Sequence, residues 1–386
     1  MALFTPLTLG SITLPNRIGM SALTRNRADV STVPNPLMKE YYLQRAAGGA
    51  GLIVTEGTLV TRQGTEWPQA PGIWNEEQTA AWKSIVDAIH TTETKVYCQL
   101  WHLGRANHPD APEQIKAGEA SPTREYSGPV YAPSALSARG GKFRFLPGAP
   151  GYVTPTEIED PATLIPLFKN AAINAKEAGF DGVELHGANG YLIHQFLDST
   201  SNARTDKWGG SVENRARFGL EILKVLVEVF GADVGVKLSP SGGYNDMGMP
   251  LPETIATYNY FISEADKLGL SYILLARYVP ALDMEIDGKL RATQHDVVAT
   301  FRPAITHARV FSNGGFTPAE AEALVAAGTL DGVLFGVLWI AHPDLARRVR
   351  HGKPLDNTPD PKTYYGHLDR PAQLGFTDYP AFAGYD

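Results

Sequence analysis

One short segment of the chain carries polar side chains that could act together on a carbonyl group. His186 and Asn189 stand three residues apart in a glycine-rich stretch, and Tyr191 follows closely. Two hydrogen-bond donors can hold one carbonyl oxygen, and a phenol, which is neutral at pH 7, can deliver a proton. Each residue taken alone also has a structural interpretation, because histidine and tyrosine occur in protein cores. The segment lacks a metal-ligand spacing, so we predict no metal site.

Glycine-rich turns provide a second group of candidate binding residues. Gly314 and Gly315 follow one predicted strand, Gly336 and Val337 follow the next, and helical segments come after both turns. Backbone N–H groups at such turns, together with helix N-termini, bind phosphate in βα barrels. Glycines of this kind also serve simply to make tight turns, and the sequence leaves both interpretations open.

The elements that must position these residues repeat along the chain. Short β-branched runs alternate with segments of helical periodicity, which is typical of parallel βα units. A doubly wound dinucleotide fold would carry Gly-x-Gly-x-x-Gly after its first strand, whereas residues 20–25 read Met-Ser-Ala-Leu-Thr-Arg. The pattern therefore predicts an α/β fold of the (β/α)8 or TIM-barrel class, with strands at 17–23, 51–55, 95–100, 182–185, 234–238, 272–275, 309–312 and 332–335. The clearest helical patterns cover residues 76–90, 161–178, 213–230, 251–268 and 317–327.

A barrel of this class has its active site at the C-terminal ends of the strands. Thr24, Glu56, Gln99 and Lys237 all lie at or near such ends. The carboxylate of Glu56 could be catalytic, or it could form a structural ion pair with a lysine or arginine of the barrel. Cys98 lies inside a predicted strand, and nothing beside it would lower its pKa, so we predict a buried and inert thiol.

The chain has 386 residues, more than the roughly 250 that a barrel needs. We predict a single domain over residues 1–386. Residues 102–156, which are rich in Gly, Pro, Ser and Ala, would form a capping insertion after strand three. Residues 354–386 would form a C-terminal tail packed on the barrel.

The composition excludes several other classes of protein. The net charge is −7 and no run of Lys or Arg marks a nucleic-acid surface, so we expect no nucleic-acid partner. No apolar stretch reaches the roughly 18 residues of a membrane span, and residues 1–17 lack the apolar core of a signal peptide. With a single cysteine, no intrachain disulfide can form. We therefore expect a cytoplasmic protein that binds a small molecule, in an oligomeric state that the sequence leaves open.

Six segments spread along the chain carry a family resemblance. The longest reads Ser-Asn-Ala-Arg-Thr-Asp-Lys-Trp-Gly-Gly-Ser-Val-Glu-Asn-Arg at residues 201–215. The others cover residues 16–25, 99–104, 132–136, 184–192 and 376–380. Together they resemble the Old Yellow Enzyme family of flavin-dependent ene-reductases, in the branch typified by yeast and plant-like members.

The resemblance implies an FMN across the barrel mouth, reduced by NADPH or NADH. It also implies hydride transfer to the β-carbon of an α,β-unsaturated carbonyl compound, an enone or enal. His186 and Asn189 would hold the substrate carbonyl, and Tyr191 would protonate the α-carbon. Thr24 would donate a hydrogen bond to the flavin C4 oxygen. The remaining implied roles are flavin contacts for Gly57, Gln99, Lys237, Gly314, Gly315, Gly336 and Val337, and substrate-pocket walls for Trp101 and Tyr365.

Two positions depart from the family pattern. Lys237 stands where the family usually has an arginine beside flavin N1 and O2, and Val337 stands where it has a phosphate-binding arginine. Lysine keeps the charge but loses the two-pronged donor geometry. Losing one charge-assisted contact to the phosphate costs about 1.5–3 kcal/mol. A rival hypothesis is therefore a homologue with an impaired flavin site, which isomerises or cyclises an enone-type intermediate without redox chemistry.

Overall fold

A closed parallel barrel forms the centre of the molecule. The computed structural model describes residues 1–62, 67–110, 130–140, 151–367 and 369–384. Each barrel strand pairs in parallel with two neighbours, and the last strand pairs with the first, which closes the ring. In chain order the strands are β1 (Ile18–Met20), β2 (Leu52–Val54), β3 (Lys95–Trp101), β4 (Gly182–Gly187), β5 (Val234–Leu238), β6 (Tyr272–Ala276), β7 (Arg309–Asn313) and β8 (Gly332–Phe335).

Helices lie outside the strands, and in the chain they come between the strands or after the last one. They are α1 (Pro36–Ala47), α2 (Glu76–Ile89), α3 (Ile165–Glu177), α4 (Leu192–Leu197), α5 (Val212–Phe230), α6 (Leu251–Asp266), α7 (Val297–Phe301), α8 (Pro318–Ala326), α9 (Val337–Ala341) and α10 (Leu345–Arg350). None of the helices in the described part of the chain is both long enough and apolar enough to cross a membrane.

The predicted barrel is confirmed, with changes at the ends of some elements. The first strand is shorter than the predicted 17–23, because regular strand structure ends at Met20 and residues 21–27 form an irregular segment. The segment predicted as one helix at 161–178 divides into a 3-10 turn, Pro161–Leu164, and α3. Helix α1 was missed, although Asn35 accepts a hydrogen bond from the amide of Met38 and is followed by a proline, a common start signal.

A hairpin closes the N-terminal end of the barrel. Its strands, Leu7–Leu9 and Ile12–Leu14, pair antiparallel around Gly10, whose φ of +60° favours glycine. Apolar side chains of the hairpin pack with those that fill the barrel, including Val54, Tyr97 and Phe311. Apolar side chains therefore fill the N-terminal end of the barrel, and the polar strand ends lie at the opposite end.

Two peripheral segments contact the C-terminal end of the barrel. Within the predicted cap at 102–156, a short strand, Tyr131–Ala132, pairs with Thr156–Glu157, while residues 111–129 and 141–150 lie outside the described residues. The tail is held by Arg25, which donates to the backbone oxygens of Tyr364 and Gly375. The contacts of Arg25, which follows β1, bring the tail to the rim that carries the polar strand ends.

The carboxylate of Glu56 fixes the path of the chain after β1. One oxygen accepts hydrogen bonds from the backbone amides of Arg25 and Asn26, at 3.0 and 3.2 Å. The other lies 3.4 Å from the phenol of Tyr42. Its partners are therefore two backbone amides and a phenol, and the ion pair considered from the sequence is not formed with any described residue. Burial raises the pKa of Glu56 from 4.5 to about 7.

Because this pKa is raised in the folded protein, ionisation of Glu56 opposes folding. The stability associated with its neutral form is complete below pH 4.5 and is lost as the pH rises through about 7. The Glu56→Gln variant keeps an acceptor for the two amides but cannot ionise. Between pH 5 and pH 8 we expect the variant to gain up to about 3 kcal/mol over the parent. Urea unfolding of both proteins across this range measures the difference; parallel pH profiles would contradict it.

Candidate active site

The C-terminal rim of the barrel brings the predicted site residues together. The register of the parallel strands places Lys237 of β5 beside His186 of β4, and Gln99 of β3 beside Glu184 of β4. Thr24, which follows β1, is half-buried at the same end of the barrel. Residues that are far apart in the sequence thus share one opening, as expected for this fold.

His186 is a neutral hydrogen-bond donor. Its Nδ1 atom accepts a hydrogen bond from the backbone amide of Ala188 at 3.3 Å, so the proton of the neutral ring is assigned to Nε2. Burial first, and then the charge of Lys237, hold the pKa of His186 well below its usual range. The Nε2–H group forms no hydrogen bond with any described residue and can therefore donate to a ligand.

Asn189 lies beside it in a strained backbone conformation. Its φ of +58° is in the left-handed region, which asparagine tolerates better than most residues. Asn189 is half-buried, and its side-chain carboxamide forms no hydrogen bond with any described residue. Two donors, an imidazole and a carboxamide, are thus available at the end of β4.

An aromatic wall surrounds these donors. The ring of Tyr191 stands edge-on to those of Trp101 and His186, with centroids 5.0 and 5.1 Å away. Trp101 also stacks over His186 at 6.2 Å. Tyr365 from the tail stacks on Trp67 at 4.5 Å and packs against the same apolar cluster. Trp101 and Tyr365, which the sequence marked as pocket walls, therefore belong to the cluster that contains Tyr191.

A buried carboxylate organises the interior just below the opening. Glu184 accepts hydrogen bonds from the side-chain amide of Gln99 at 2.7 Å and from the phenol of Tyr272 at 2.8 Å. Sequence reasoning missed it, although Glu184 stands two residues before His186, and residues two apart in a strand face the same side. Because Glu184 accepts one N–H of the Gln99 carboxamide, it sets the orientation of that side chain.

Lys237 balances the charge of Glu184. Burial lowers the pKa of Lys237, and the Glu184 carboxylate opposes that shift. Burial likewise raises the pKa of Glu184, which Lys237 opposes. Lys237 is only 6% exposed, yet its ammonium donates no hydrogen bond to any described residue. A buried cation with unused donors suits a ligand that presents a carbonyl oxygen or a negative charge.

The turn after β7 offers unused backbone donors. The amides of Gly314 and Gly315 donate to no acceptor among the described residues. Both glycines have positive φ values, +112° and +74°, and a Cβ added to Gly315 would meet nothing within 4 Å. The turn is thus open and lined by N–H groups, the arrangement that binds phosphate.

The other predicted flavin contacts have mixed surroundings. Gly57 lies so close to Trp101 that a Cβ would approach its ring to 2.5 Å, which is a sufficient structural reason for glycine. Gly336 precedes α9, and Val337 is the first residue of that helix. The Val337 side chain is 45% exposed and supplies neither charge nor donor. At the turn after β8, the backbone amides are therefore the groups that could donate to a phosphate.

Arg277 is a cation near the β7 turn that sequence reasoning missed. It donates through Nε to the backbone oxygen of Gly314, and its guanidinium binds Glu320 at 2.5 and 3.1 Å. The guanidinium also lies 3.7 Å above the ring of Phe316. These contacts fix the shape of the turn, because they hold Gly314 to the end of β6 and to the first turn of α8.

Comparison with known proteins identifies the family. The sequence model that describes the NADH:flavin oxidoreductase / NADH oxidase family matches residues 2–356 of this chain. The chain belongs to this family, which includes Old Yellow Enzyme. Its members use FMN and NAD(P)H. The resemblance seen in the sequence is thereby confirmed.

Three similar proteins illustrate the range of the family. The aldehyde reductase FrzD of Cladobotryum sp is 37% identical, over 98% of this chain and 94% of its own. The probable inactive reductase easA of Epichloe festucae var. lolii is 38% identical, over 98% and 94%. The structure of the old yellow enzyme from Trypanosoma cruzi superposes with a TM-score of 0.87 at 33% identity, over 99% of each chain.

The described residues fit the FMN that the family uses. The free ammonium of Lys237 and the open amides of Gly314 and Gly315 are unused donors at the barrel mouth. Gln99 is held in one orientation by Glu184. Bound FMN is a carrier of hydride, and these residues would hold its ring system and its phosphate.

The exposed Val337 generates a test of phosphate binding. Adding a guanidinium at this position, in the Val337→Arg variant, should strengthen FMN binding by about tenfold to a hundredfold, since one charge-assisted hydrogen bond is gained. Riboflavin, which lacks the phosphate, should bind both proteins equally. Fluorescence titration of the flavin-free proteins with each flavin measures both affinities. An equal gain for riboflavin, or no gain for FMN, would contradict the assignment of a phosphate to this turn.

Proposed function

We propose that this protein reduces the C=C bond of α,β-unsaturated carbonyl compounds, using bound FMN and NADPH or NADH. The observation that carries the proposal is the neutral His186, whose Nε2–H is unused by the described residues and whose ring lies edge-on to that of Tyr191. A donor for a carbonyl oxygen and a source of a proton are what this reaction requires besides the hydride.

The residues at the end of β4 would activate the alkene. Hydrogen bonds from His186 and Asn189 to the carbonyl oxygen draw electrons away from the conjugated double bond, so the β-carbon accepts a hydride more readily. Negative charge that develops on the oxygen is stabilised by these two donors in a site largely shielded from water. Because His186 is neutral, it donates to the oxygen without transferring its own proton.

Tyr191 would complete the reaction. Addition of hydride at the β-carbon leaves the α-carbon in need of a proton, and the phenol is a neutral acid at pH 7. Trp101 and His186 pack against the Tyr191 ring on two sides and restrict its orientation. We assign His186 and Asn189 to substrate binding and Tyr191 to proton transfer.

The remaining residues would hold the cofactor and shape the pocket. Thr24, Gln99 and Lys237 would contact the flavin ring, with Lys237 favouring the negative charge that the ring gains on reduction. The backbone at Gly57 would contact the same ring. The glycine turns after β7 and β8 would bind the phosphate, while Trp101 and Tyr365 would form walls around the enone or enal.

A second candidate function is non-redox isomerisation or cyclisation of an enone. It is favoured by the replacement of a phosphate-binding arginine by the exposed Val337. His186, Asn189 and Tyr191 could polarise an enone without any hydride. This second candidate is also supported by the similarity to a relative described as a probable inactive reductase.

The visible absorption spectrum of the purified protein separates the two candidates. After saturation with FMN and removal of unbound cofactor, the reductase should show a stoichiometric flavin band. That band should bleach with NADPH and return when an enone such as 2-cyclohexenone is added. A colourless protein that does not retain FMN would exclude the reductase and favour the non-redox candidate.

Replacing Tyr191 tests its role as proton donor. Tyr191→Phe should slow the reoxidation of reduced enzyme by enone by at least about tenfold, because a positioned acid typically contributes 10²–10⁴-fold. Reduction of the flavin by NADPH should change much less, since that step needs no proton from the phenol. Stopped-flow measurement of the two half-reactions checks this.

Tyr260→Phe is a matched control, because Tyr260 lies on the outer helix α6. It should leave both half-reactions unchanged. Equal slowing of both half-reactions in Tyr191→Phe would show that Tyr191 shapes the pocket and does not deliver the proton.

A further inference from the structure

The backbone of Asn189 is held from both sides by residues that follow β5. Its N–H donates to the Ser239 hydroxyl oxygen at 2.8 Å, and its carbonyl accepts from the side-chain amide of Asn245 at 2.9 Å. A non-glycine residue with a φ of +58° adopts a costly conformation, which persists where surrounding contacts fix it. These two bonds therefore determine where the Asn189 side chain starts and which way it can point.

Asn245 also reaches the capping segment. Its side-chain oxygen accepts a hydrogen bond from the phenol of Tyr152 at 2.5 Å. Asn245 is 4% exposed and has a φ of +55°. One buried carboxamide thus connects Tyr152, in the predicted cap, with the backbone of the residue that would hold the substrate carbonyl.

The loop that carries Asn245 is anchored firmly. The neighbouring Asp246 binds Arg139 at 2.9 Å and Arg291 at 2.7 Å, although its own side chain is only 6% exposed. Gly190 approaches the loop so closely that an added Cβ would lie 2.6 Å from the Cβ of Asn245. The loop therefore has little freedom to shift relative to the end of β4.

We propose that Asn245 is a positioning residue that couples the cap to the substrate-binding donor Asn189. Tyr152 orients the Asn245 carboxamide by donating to its oxygen, which directs the N–H group of that carboxamide to the Asn189 carbonyl. Displacement of Tyr152 would release the Asn245 carboxamide, and the Asn189 backbone would lose one of the two hydrogen bonds that hold it. The cap thereby influences how firmly a carbonyl substrate is held. This inference rests on the proposed role of Asn189 in carbonyl binding.

Aspartate is the sharpest substitution for Asn245. It keeps the size of the side chain, tolerates a positive φ, and still accepts from the Tyr152 phenol. It replaces the donor that faces the Asn189 carbonyl with a second acceptor, so that bond is lost. Tyr152→Phe removes the hydrogen bond from the phenol to the Asn245 side-chain oxygen and leaves Asn245 itself unchanged.

The experiment measures calorimetric binding of 2-cyclohexenone, without NADPH, to proteins of equal flavin content. Asn245→Asp should weaken binding by about tenfold, the equivalent of one hydrogen bond, and Tyr152→Phe should weaken it in the same direction. In steady-state assays the loss should appear in KM, with kcat changing less than about threefold. Unchanged binding in Asn245→Asp would overturn the proposal.

Asn174→Asp is the matched control. Asn174 lies on α3 and donates from its side-chain amide to the backbone oxygen of Ile73 at 2.8 Å, the same type of bond away from β4. This variant should lose stability and keep its enone affinity. If it weakened enone binding as much as Asn245→Asp does, the effect would be general destabilisation and the positioning role would be overturned.

A double variant tests whether Asn245 affects enone binding through Asn189 or through a direct effect of its own loop. In an Asn189→Ala protein, Asn245→Asp should have no further effect on enone binding, because the side chain it positions is gone. Additive losses would overturn the proposal. Since binding is measured without hydride transfer, a wild-type protein that binds the enone but does not reduce it would contradict the proposed reductase function and leave the positioning test intact.

Discussion

The pairing of β8 with β1 is the constraint on which the rest of the structure depends. Val333 pairs with Ile18 and Phe335 with Met20, and the indole of Trp339 donates to the backbone oxygen of Gly19 at 3.0 Å. These contacts join the two ends of the barrel sequence. All eight strands run in one direction, and closure of the ring brings their polar C-terminal residues to one opening, while the apolar hairpin fills the other.

Within that opening, buried charge is tolerated because it is balanced and hydrogen-bonded. Taking an isolated carboxylate or ammonium out of water is costly, and the cost is reduced when an opposite charge and hydrogen-bond donors are present. Glu184 has two donors, Gln99 and Tyr272, and Lys237 supplies the opposing charge. One consequence is that Gln99 has a fixed orientation. The other is that Lys237 keeps its own donors available to a ligand.

Segments outside the barrel contact the candidate site. Arg25 and Arg27 donate to backbone oxygens of the tail, which places Tyr365 against Trp67. Tyr152 meets the loop after β5 on another side. The polar donors thus come from rigid strand ends, whereas much of the aromatic wall comes from loops and the tail. Such a division lets the loops vary in the substrates they admit while the strand ends keep the chemistry.

The sequence by itself determined the order of the eight strands, the class of fold and the polar residues that mark the strand ends. Local periodicity carries this information, since β-branched runs and amphipathic helices are visible without knowledge of their partners. The family motifs suggested roles for His186, Asn189 and Tyr191, which stay predictions, and marked Lys237 and Val337 as departures from the family pattern. Helix α1 was missed, although its start signal, Asn-Pro, was present.

Only the tertiary structure decided how these residues interact. Which ring nitrogen of His186 carries its proton depends on the amide of Ala188, and the orientation of Gln99 depends on Glu184 of the neighbouring strand. The amides that bind Glu56, and the carboxamide of Asn245 that holds Asn189, likewise come from distant parts of the chain. Periodicity shows which face of a strand a residue occupies. It does not show which residue of another element lies opposite, because that follows from the register of non-local pairing.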